Sequence, residues 1–208
     1  MAEANLLAQI EARLAAHPPA AQDAEWLQFD WRPPGGFAVP PTPAAVLVGL
    51  VERGGRMNVL LTRRADDLRT HSGQIAFPGG KIDAADDGPA AAALREAHEE
   101  VDLEPDDARV LGYLPAFRTG NNYLIYPVVA VVAPRRPFAP NPDEVAEVFE
   151  VPLDIMLSGQ SYGRHAVSGR EREHSTWRID YDGRVIWGIT ANLARYFCDL
   201  VASETVAP

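Results

Sequence analysis

The sequence carries a single cysteine, Cys198, in 208 residues. That excludes an internal disulfide, and no neighbouring ligand residues suggest a metal–thiolate site. A reducing cytoplasm is the compartment expected for such a chain. No apolar run approaches the length that spans a bilayer, so no membrane partner is expected. The opening MAEANLLAQIEARLAAHPP has no basic stretch followed by an unbroken apolar one, and does not read as a secretory signal. Positive charge is also short, with a formal net charge of -10. Nucleic-acid binding needs a basic face to meet phosphates, so no nucleic-acid partner is expected. A small anionic ligand held by a local basic cluster is still compatible, as is a metal held by carboxylates. Internal repeats are absent. The five histidines, His17, His71, His98, His165 and His174, show no zinc-ligand spacing.

What is present is ordinary for a globular protein: 47% hydrophobic and 23% charged residues. The length suits one domain with a sizeable core. Residues 1–40 read as a helical arm and linker, with Leu6, Leu7, Ile10 and Leu14 on one stripe. A Pro/Gly connector, Gly35 to Pro43, leads into the main body at 41–208. Strands are expected at Ala45–Val51 and Met57–Thr62, forming a hairpin through ERGGR. Arg63 to Gly88 reads as irregular, and a helix follows from Pro89 to about Leu103. Further strands are expected at Val110–Leu114, Leu124–Val132 and Val148–Val151, the last leading into a helix at Pro152–Leu157. Thr176–Tyr181 and Arg184–Trp187 form a hairpin turning at Asp182-Gly183. A final helix spans Thr190–Val201. This layout predicts an α/β (α+β) domain, a mixed sheet covered by helices. The N-terminal arm and the last helix offer surfaces for a homodimer.

Chemistry concentrates in A-L-R-E-A-H-E-E-V, Ala93 to Val101. At about 100° per residue, Ala90, Leu94, Ala97 and Val101 fall on one side, as a face packed on the sheet. Glu96, Glu99 and Glu100 share an arc on the other side. Like charges at i, i+3 and i+4 repel, and a hard cation bound among them reverses that penalty. Taken alone, a glutamate-rich helical face is ordinarily just solvated; its context decides the reading.

That context is Gly79 to Leu103, which resembles the Nudix box. Arg95, Glu96, Glu99, Glu100 and Leu103 match the box in order. The loop is one residue longer than the general pattern, Asp86 or Asp87 stands for the usual loop glutamate, and Asp102 takes the place of the box glycine. Asp tolerates the left-handed conformation expected at that helix end. Just upstream, Leu60 to Gly80 is similar to the signature of the coenzyme A pyrophosphatase branch. Leu60, Leu61, Thr62, Arg64, Arg69, Gly73, Phe77, Pro78, Gly79 and Gly80 agree, and Ala65 replaces a serine. The late stretch I-W-G-I-T-A, Ile186 to Ala191, also looks like this branch.

The resemblance implies a Nudix-type α/β/α sandwich with a loop–helix–loop metal site for Mg²⁺ or Mn²⁺. It implies hydrolysis of the diphosphate of coenzyme A or a derivative, giving 3′,5′-ADP and 4′-phosphopantetheine. Glu96 and Glu100 are the expected metal ligands and Glu99 the third, with Arg95 orienting a glutamate of the box. Arg63, Arg64 and Arg69 supply cations for phosphates in an otherwise acidic chain. Gly79 and Gly80 let the backbone approach metal or phosphate closely. For the general base, Glu144 and Glu147 both stand where the family often has such residues. Rival readings are a Nudix enzyme for ADP-ribose or NADH, and a non-catalytic nucleotide-binding module. Phe117 and Tyr123 flank a loop and offer aromatic faces, for which a core role is the expectation.

Overall fold

The two longest apolar runs of the chain, around Val48 and Val129, lie side by side at the centre of the fold. The computed structural model describes residues 2–26, 32, 35–66, 72–168 and 173–203. Arg69 and His71 lie outside the described residues. In chain order the first half holds α1 (Ala2–Glu11), β1 (Glu25–Trp26), β2 (Thr42–Arg53), β3 (Arg56–Arg64), β4 (Ile75–Ala76), β5 (Gly79–Lys81) and α2 (Pro89–Val101). The second half holds β6 (Ala108–Tyr113), β7 (Phe117–Arg118), β8 (Tyr123–Val132), β9 (Val145–Pro152), α3 (Leu153–Leu157), β10 (Tyr162–Ser168), β11 (Glu173–Tyr181), β12 (Arg184–Trp187) and α4 (Gly188–Ala202).

β2 and β8 run parallel, in register from Thr42 opposite Tyr123 to Val51 opposite Val132. The main sheet follows the path β1-β7-β8-β2-β3-β4, with β5 on β2, β6 on β8 and β9 on β3. It is mixed, because β2–β3, β6–β8 and β3–β9 pair antiparallel. A second, three-stranded antiparallel sheet is β10–β11–β12. Its hairpin turns at Asp182 (φ 48°) and Gly183 (φ 75°), the positive-φ pair that a tight two-residue turn needs.

Both faces of the main sheet are buried, which explains strands that are apolar at nearly every position. On one face Ala45, Leu47, Val51, Leu60 and Val128 meet Ala92, Ala93, Ala97 and Val101 of α2. On the other, Val48, Leu50, Leu61 and Val129 meet Ile10 of α1, Leu153 of α3, and Leu193 and Phe197 of α4. The result is an α/β/α sandwich. Leu47, Leu50, Leu60 and Leu61 are fully buried, and truncating any of them to alanine costs about 2–5 kcal/mol. Ala15 exchanges two backbone hydrogen bonds with Tyr113 at 3.0 and 2.9 Å. Gly112 permits this approach, because a Cβ there would sit 2.7 Å from the Ala15 carbonyl.

The expected elements form; most strands run longer than expected, β12 has the expected bounds, and β6 starts earlier, at Ala108, and ends at Tyr113 instead of Leu114. Burial corrects one detail of α2. Ala90 and Leu94 pack against this core as expected but stay partly buried, and the fully buried stripe runs through Ala92, Ala93, Ala97 and Val101. The helix is rolled so that its alanines approach β2 closely. Glu100 therefore lies on the buried border, 3% exposed, and not on an open face.

Candidate functional site

Two glycines set the floor of the site. β5 pairs with β2, placing Gly79 opposite Val46 and Gly80 opposite Ala45. A Cβ on Gly79 would fall 2.3 Å from the Ala45 carbonyl oxygen, and one on Gly80 would fall 2.4 Å from the Glu96 carboxylate. The first glycine admits the neighbouring strand. The second admits the side chain of Glu96 from α2; a larger residue at 79 would meet backbone, whereas one at 80 would have to displace the Glu96 carboxylate.

The helix beyond starts at Pro89, with Gly88 (φ 97°) as its cap, and stops at Asp102. Asp102 takes the expected left-handed conformation at φ 58°, and its N–H bonds back to the carbonyls of Ala97 and His98. Leu103 is buried just past this turn and seals the helix end against the core.

Arg95 ties the loop to the helix. Its Nε donates to Asp86 Oδ1 and its Nη2 to Asp86 Oδ2, both at 3.0 Å. Nη2 also reaches the Lys81 carbonyl at 3.0 Å. Nη1 donates to Glu96 at 3.0 Å and to Glu99 at 3.1 Å. The arginine beside it holds the Asp86 carboxyl below the usual range. Of the two candidate loop acids, Asp86 contacts Arg95 and Asp87 is exposed; Asp83 stands farther off, at 3.9 Å from Arg95 Nη2. Glu99 is the most exposed of the three glutamates, at 52% of its side chain.

Glu100 is the buried one. Burial pushes its carboxyl up to about 8, Glu96 and Glu144 push the same way, and Arg64 and the Gly79 amide oppose them. Glu96 is also raised, chiefly by burial, with Arg95 opposing. Among the described residues, two buried side-chain polar atoms have no hydrogen-bond partner: Glu100 Oε2 and Arg64 Nε. One is an acceptor that lacks a cation, the other a donor that lacks an anion. Buried polar atoms are rarely left so without a ligand or water to complete them. Together with the raised carboxyls, the orphaned oxygen fits a bound divalent cation. The three glutamates are not drawn tightly together, and Mg²⁺ does not require it, since it keeps several waters and takes one or two carboxylates.

The arginines and candidate bases separate. Arg63 Nη1 contacts Asp66 at 3.1 Å and its Nε contacts Glu147 at 3.5 Å, so its charge is already matched. Glu147 is further held by Arg184, with Nη2 at 2.5 Å and Nε at 3.2 Å, and this pairing keeps its carboxyl low. Glu144 is exposed, and its charge reaches both Glu96 and Glu100. Its loop is stitched to the end of α2, where Asn141 N–H donates to the Glu100 carbonyl at 2.9 Å and Ala139 N–H to that of Val101 at 3.0 Å.

Arg64 also borders a cavity of about 450 Å³ on the opposite side of the sheet from α2, walled by Phe77, Tyr123, Trp187 and Ile189 among others. The Ile186–Ala191 stretch thus has a structural reason: it joins β12 to α4 and forms this wall. The remaining wall residues carried no recognisable signal, because their meeting depends on the small sheet folding over β4. Phe117 is in the core, edge-on to Tyr196 at 4.9 Å, whereas Tyr123 faces the cavity. Histidine also turns up where spacing gave no hint. His98, Asp102 and Glu104 bring donor atoms within 4.8 Å of one another. Arg136 already pairs with both carboxylates of that trio.

The NUDIX domain family profile matches residues 40–168. Two proteins named as uncharacterized Nudix hydrolase NudL, from Salmonella paratyphi B and Salmonella newport, are each 42% identical over 152 residues. Those alignments cover 73% of this chain and 79% of the relatives. Among solved structures, the Nudix hydrolase RenU from M. smegmatis aligns with TM-score 0.47 and 28% identity, over 56% of this chain and 74% of its own. A MutT/nudix family protein from Enterococcus faecalis aligns with TM-score 0.48 and 15% identity, over 79% and 62%. With the match spanning the sheet, the glycine floor and the glutamate helix, this chain belongs to the Nudix hydrolase family.

Proposed function

We propose that the protein hydrolyses the diphosphate bond of coenzyme A or a derivative, releasing 3′,5′-ADP and 4′-phosphopantetheine, with Mg²⁺ or Mn²⁺ as cofactor. The observation that carries this reading is the pair of orphaned buried atoms, Glu100 Oε2 and Arg64 Nε. A carboxylate oxygen that lacks a cation beside a guanidinium N–H that lacks an anion matches a metal-bound phosphate in charge and in donor type. The arginine spacing that resembles the coenzyme A pyrophosphatase signature supplies the substrate class.

Glu96 and Glu100 would hold the metal, with Glu99 at its exposed edge. When bound, the metal neutralises charge on the diphosphate and acidifies a water. Arg95 keeps Glu96 and Glu99 turned toward the loop through its contacts of 3.0 and 3.1 Å. Gly80 leaves room for Glu96, and Gly79 lets β5 close against β2. Arg64 takes a phosphate oxygen. Arg63 contributes positive field from behind its ion pairs, and Arg69 follows Arg64 in the signature. Glu144 accepts the proton of the attacking water, being exposed and within electrostatic reach of both buried glutamates. Glu147 is engaged by Arg184 and Arg63 and is a poorer base.

Incubation with Mg²⁺ or Mn²⁺ and, separately, coenzyme A, ADP-ribose, NADH and ATP tests this, with products identified by mass. The expected result is 3′,5′-ADP and 4′-phosphopantetheine, abolished by chelation and by Glu100→Gln. Preferential cleavage of ADP-ribose or NADH would leave the metal helix in place and remove coenzyme A as substrate.

A further inference from the structure

The cavity beside Arg64 is a feature that the metal site leaves without a use. It lies between the main sheet and the small sheet, and its volume is about 450 Å³. The segment Phe77–Gly80 divides the two places: Phe77 walls the cavity, and three residues on, Gly80 touches the Glu96 carboxylate. Arg64 stands at the junction, lining the cavity while its charge acts on Glu100. A substrate whose diphosphate sits at Arg64 therefore has one arm directed into this space.

The lining decides which arm. Val46, Ile75, Ile125, Ile189 and Leu193 make it apolar, with Trp187 across. Among the described residues, Arg64 is the one charged side chain on the lining, and the diphosphate claims it. The nucleoside arm of coenzyme A ends in a 3′-phosphate, and burying that charge without a second cation is costly. The pantetheine arm is uncharged. It carries two amides, a hydroxyl and dimethyl and thiol groups, and suits an apolar wall dotted with uncharged polar groups such as Asn121 and Thr176. We infer that this cavity receives the pantetheine arm, so that the phosphorylated nucleoside lies on the opposite, exposed side of Arg64. The inference rests on the coenzyme A reading above.

Product inhibition separates the two arms. Val167 and Ile189 are half-buried on the lining, and Val167→Trp and Ile189→Trp fill the cavity from either side. Inhibition by 4′-phosphopantetheine is expected to weaken about tenfold or more in each variant, a loss of about 1.4 kcal/mol. Inhibition by 3′,5′-ADP should stay within about twofold. A measurement on the unaltered protein guards against misfolded variants: methyl NMR shifts of Ile75, Ile125 and Ile189 on titration with pantetheine. Those methyls should move with pantetheine and stay still with 3′,5′-ADP. The reverse pattern, or still methyls with both, overturns the inference while leaving the reaction intact. Failure of the unaltered protein to cleave coenzyme A overturns the proposed function, and this inference with it.

Discussion

Arg95 and Asp86 meet as two parallel hydrogen bonds, Nε to Oδ1 and Nη2 to Oδ2, each at 3.0 Å. This fork fixes the helix to its loop, because the same guanidinium reaches Glu96 and Glu99 from its remaining nitrogen. Asp86 is mostly buried at 6% side-chain exposure, whereas its neighbour Asp87 points to solvent. Asp86→Asn should therefore lower metal affinity or turnover by about 10- to 100-fold, the usual effect of removing a residue that orients a metal ligand. Asp87→Asn should leave both within about twofold. Arg95→Lys keeps a charge but loses the fork, and should behave like Asp86→Asn. Metal titration followed by steady-state rates on each variant checks the ranking, and equal effects at 86 and 87 would refute it.

The glycines separate site from scaffold. Gly80→Ala places a methyl 2.4 Å from the Glu96 carboxylate, a side chain that can swing away. Gly79→Ala places one 2.3 Å from the Ala45 carbonyl, which is backbone within the central strand and cannot move cheaply. The first variant should keep its melting temperature nearly unchanged while losing metal binding. The second should unfold several degrees lower, as overpacking costs about 1–3 kcal/mol. Thermal melts with and without Mg²⁺ distinguish them.

Much of this arrangement is legible in the sequence. Apolar continuity marks strands at Ala45–Val51 and Leu124–Val132, the latter as one buried on both faces, and Pro89 with Asp102 marks the ends of the helix. Short strands escaped: Ile75–Ala76 and Gly79–Lys81 are too brief for any periodicity, and they exist because longer neighbours offer them an edge. β10 escaped for another reason: Arg164 and Ala166 are exposed, His165 and Val167 half-buried, and among the described residues the strand pairs with β11 alone. The rolled face of α2 was also hidden. An alanine-rich helix offers several nearly equivalent apolar stripes, and packing against Ala45, Leu47, Leu60 and Val128 buries the one through Ala92, Ala93, Ala97 and Val101. Glu144 and Glu147 looked alike in sequence, because the partner that distinguishes them, Arg184, comes from a distant hairpin.

Burial of Glu100 has a consequence for stability without metal. Its carboxyl is raised to about 8 in the fold, against an ordinary value of 4.5. Between those values the native state holds a proton that the unfolded chain has released. Stability is then greatest below the ordinary value and falls as pH rises through about 8. Glu96 is shifted in the same direction. Asp86 and Glu147, shifted down, act only on the acid side of this window. The metal-free protein should therefore melt lower at about pH 8 than at about pH 5.5, and Glu100→Gln should flatten that slope. Mg²⁺ should raise the melting temperature more at the higher pH, since it binds the deprotonated carboxylate. A metal-free melting temperature that rises across this range would contradict the burial of an unpaired carboxyl.

The two glutamates of the β9 approach should part company in kinetics. Glu147 is bound by Arg184 and Arg63, and Arg184 also lies over the Phe149 ring at 4.6 Å. Glu147→Gln should lower the melting temperature modestly, because these pairs are partly exposed and screened by water. Its kcat should fall by less than about threefold. Among the described residues the Glu144 side chain has no such ion pair, so Glu144→Gln should leave the melt unchanged and lower kcat by about 10²- to 10⁴-fold, as removal of a general base does. A large kcat loss in Glu147→Gln with a nearly unchanged kcat in Glu144→Gln would transfer the base to Glu147, and would require its pairs with both arginines to open during turnover.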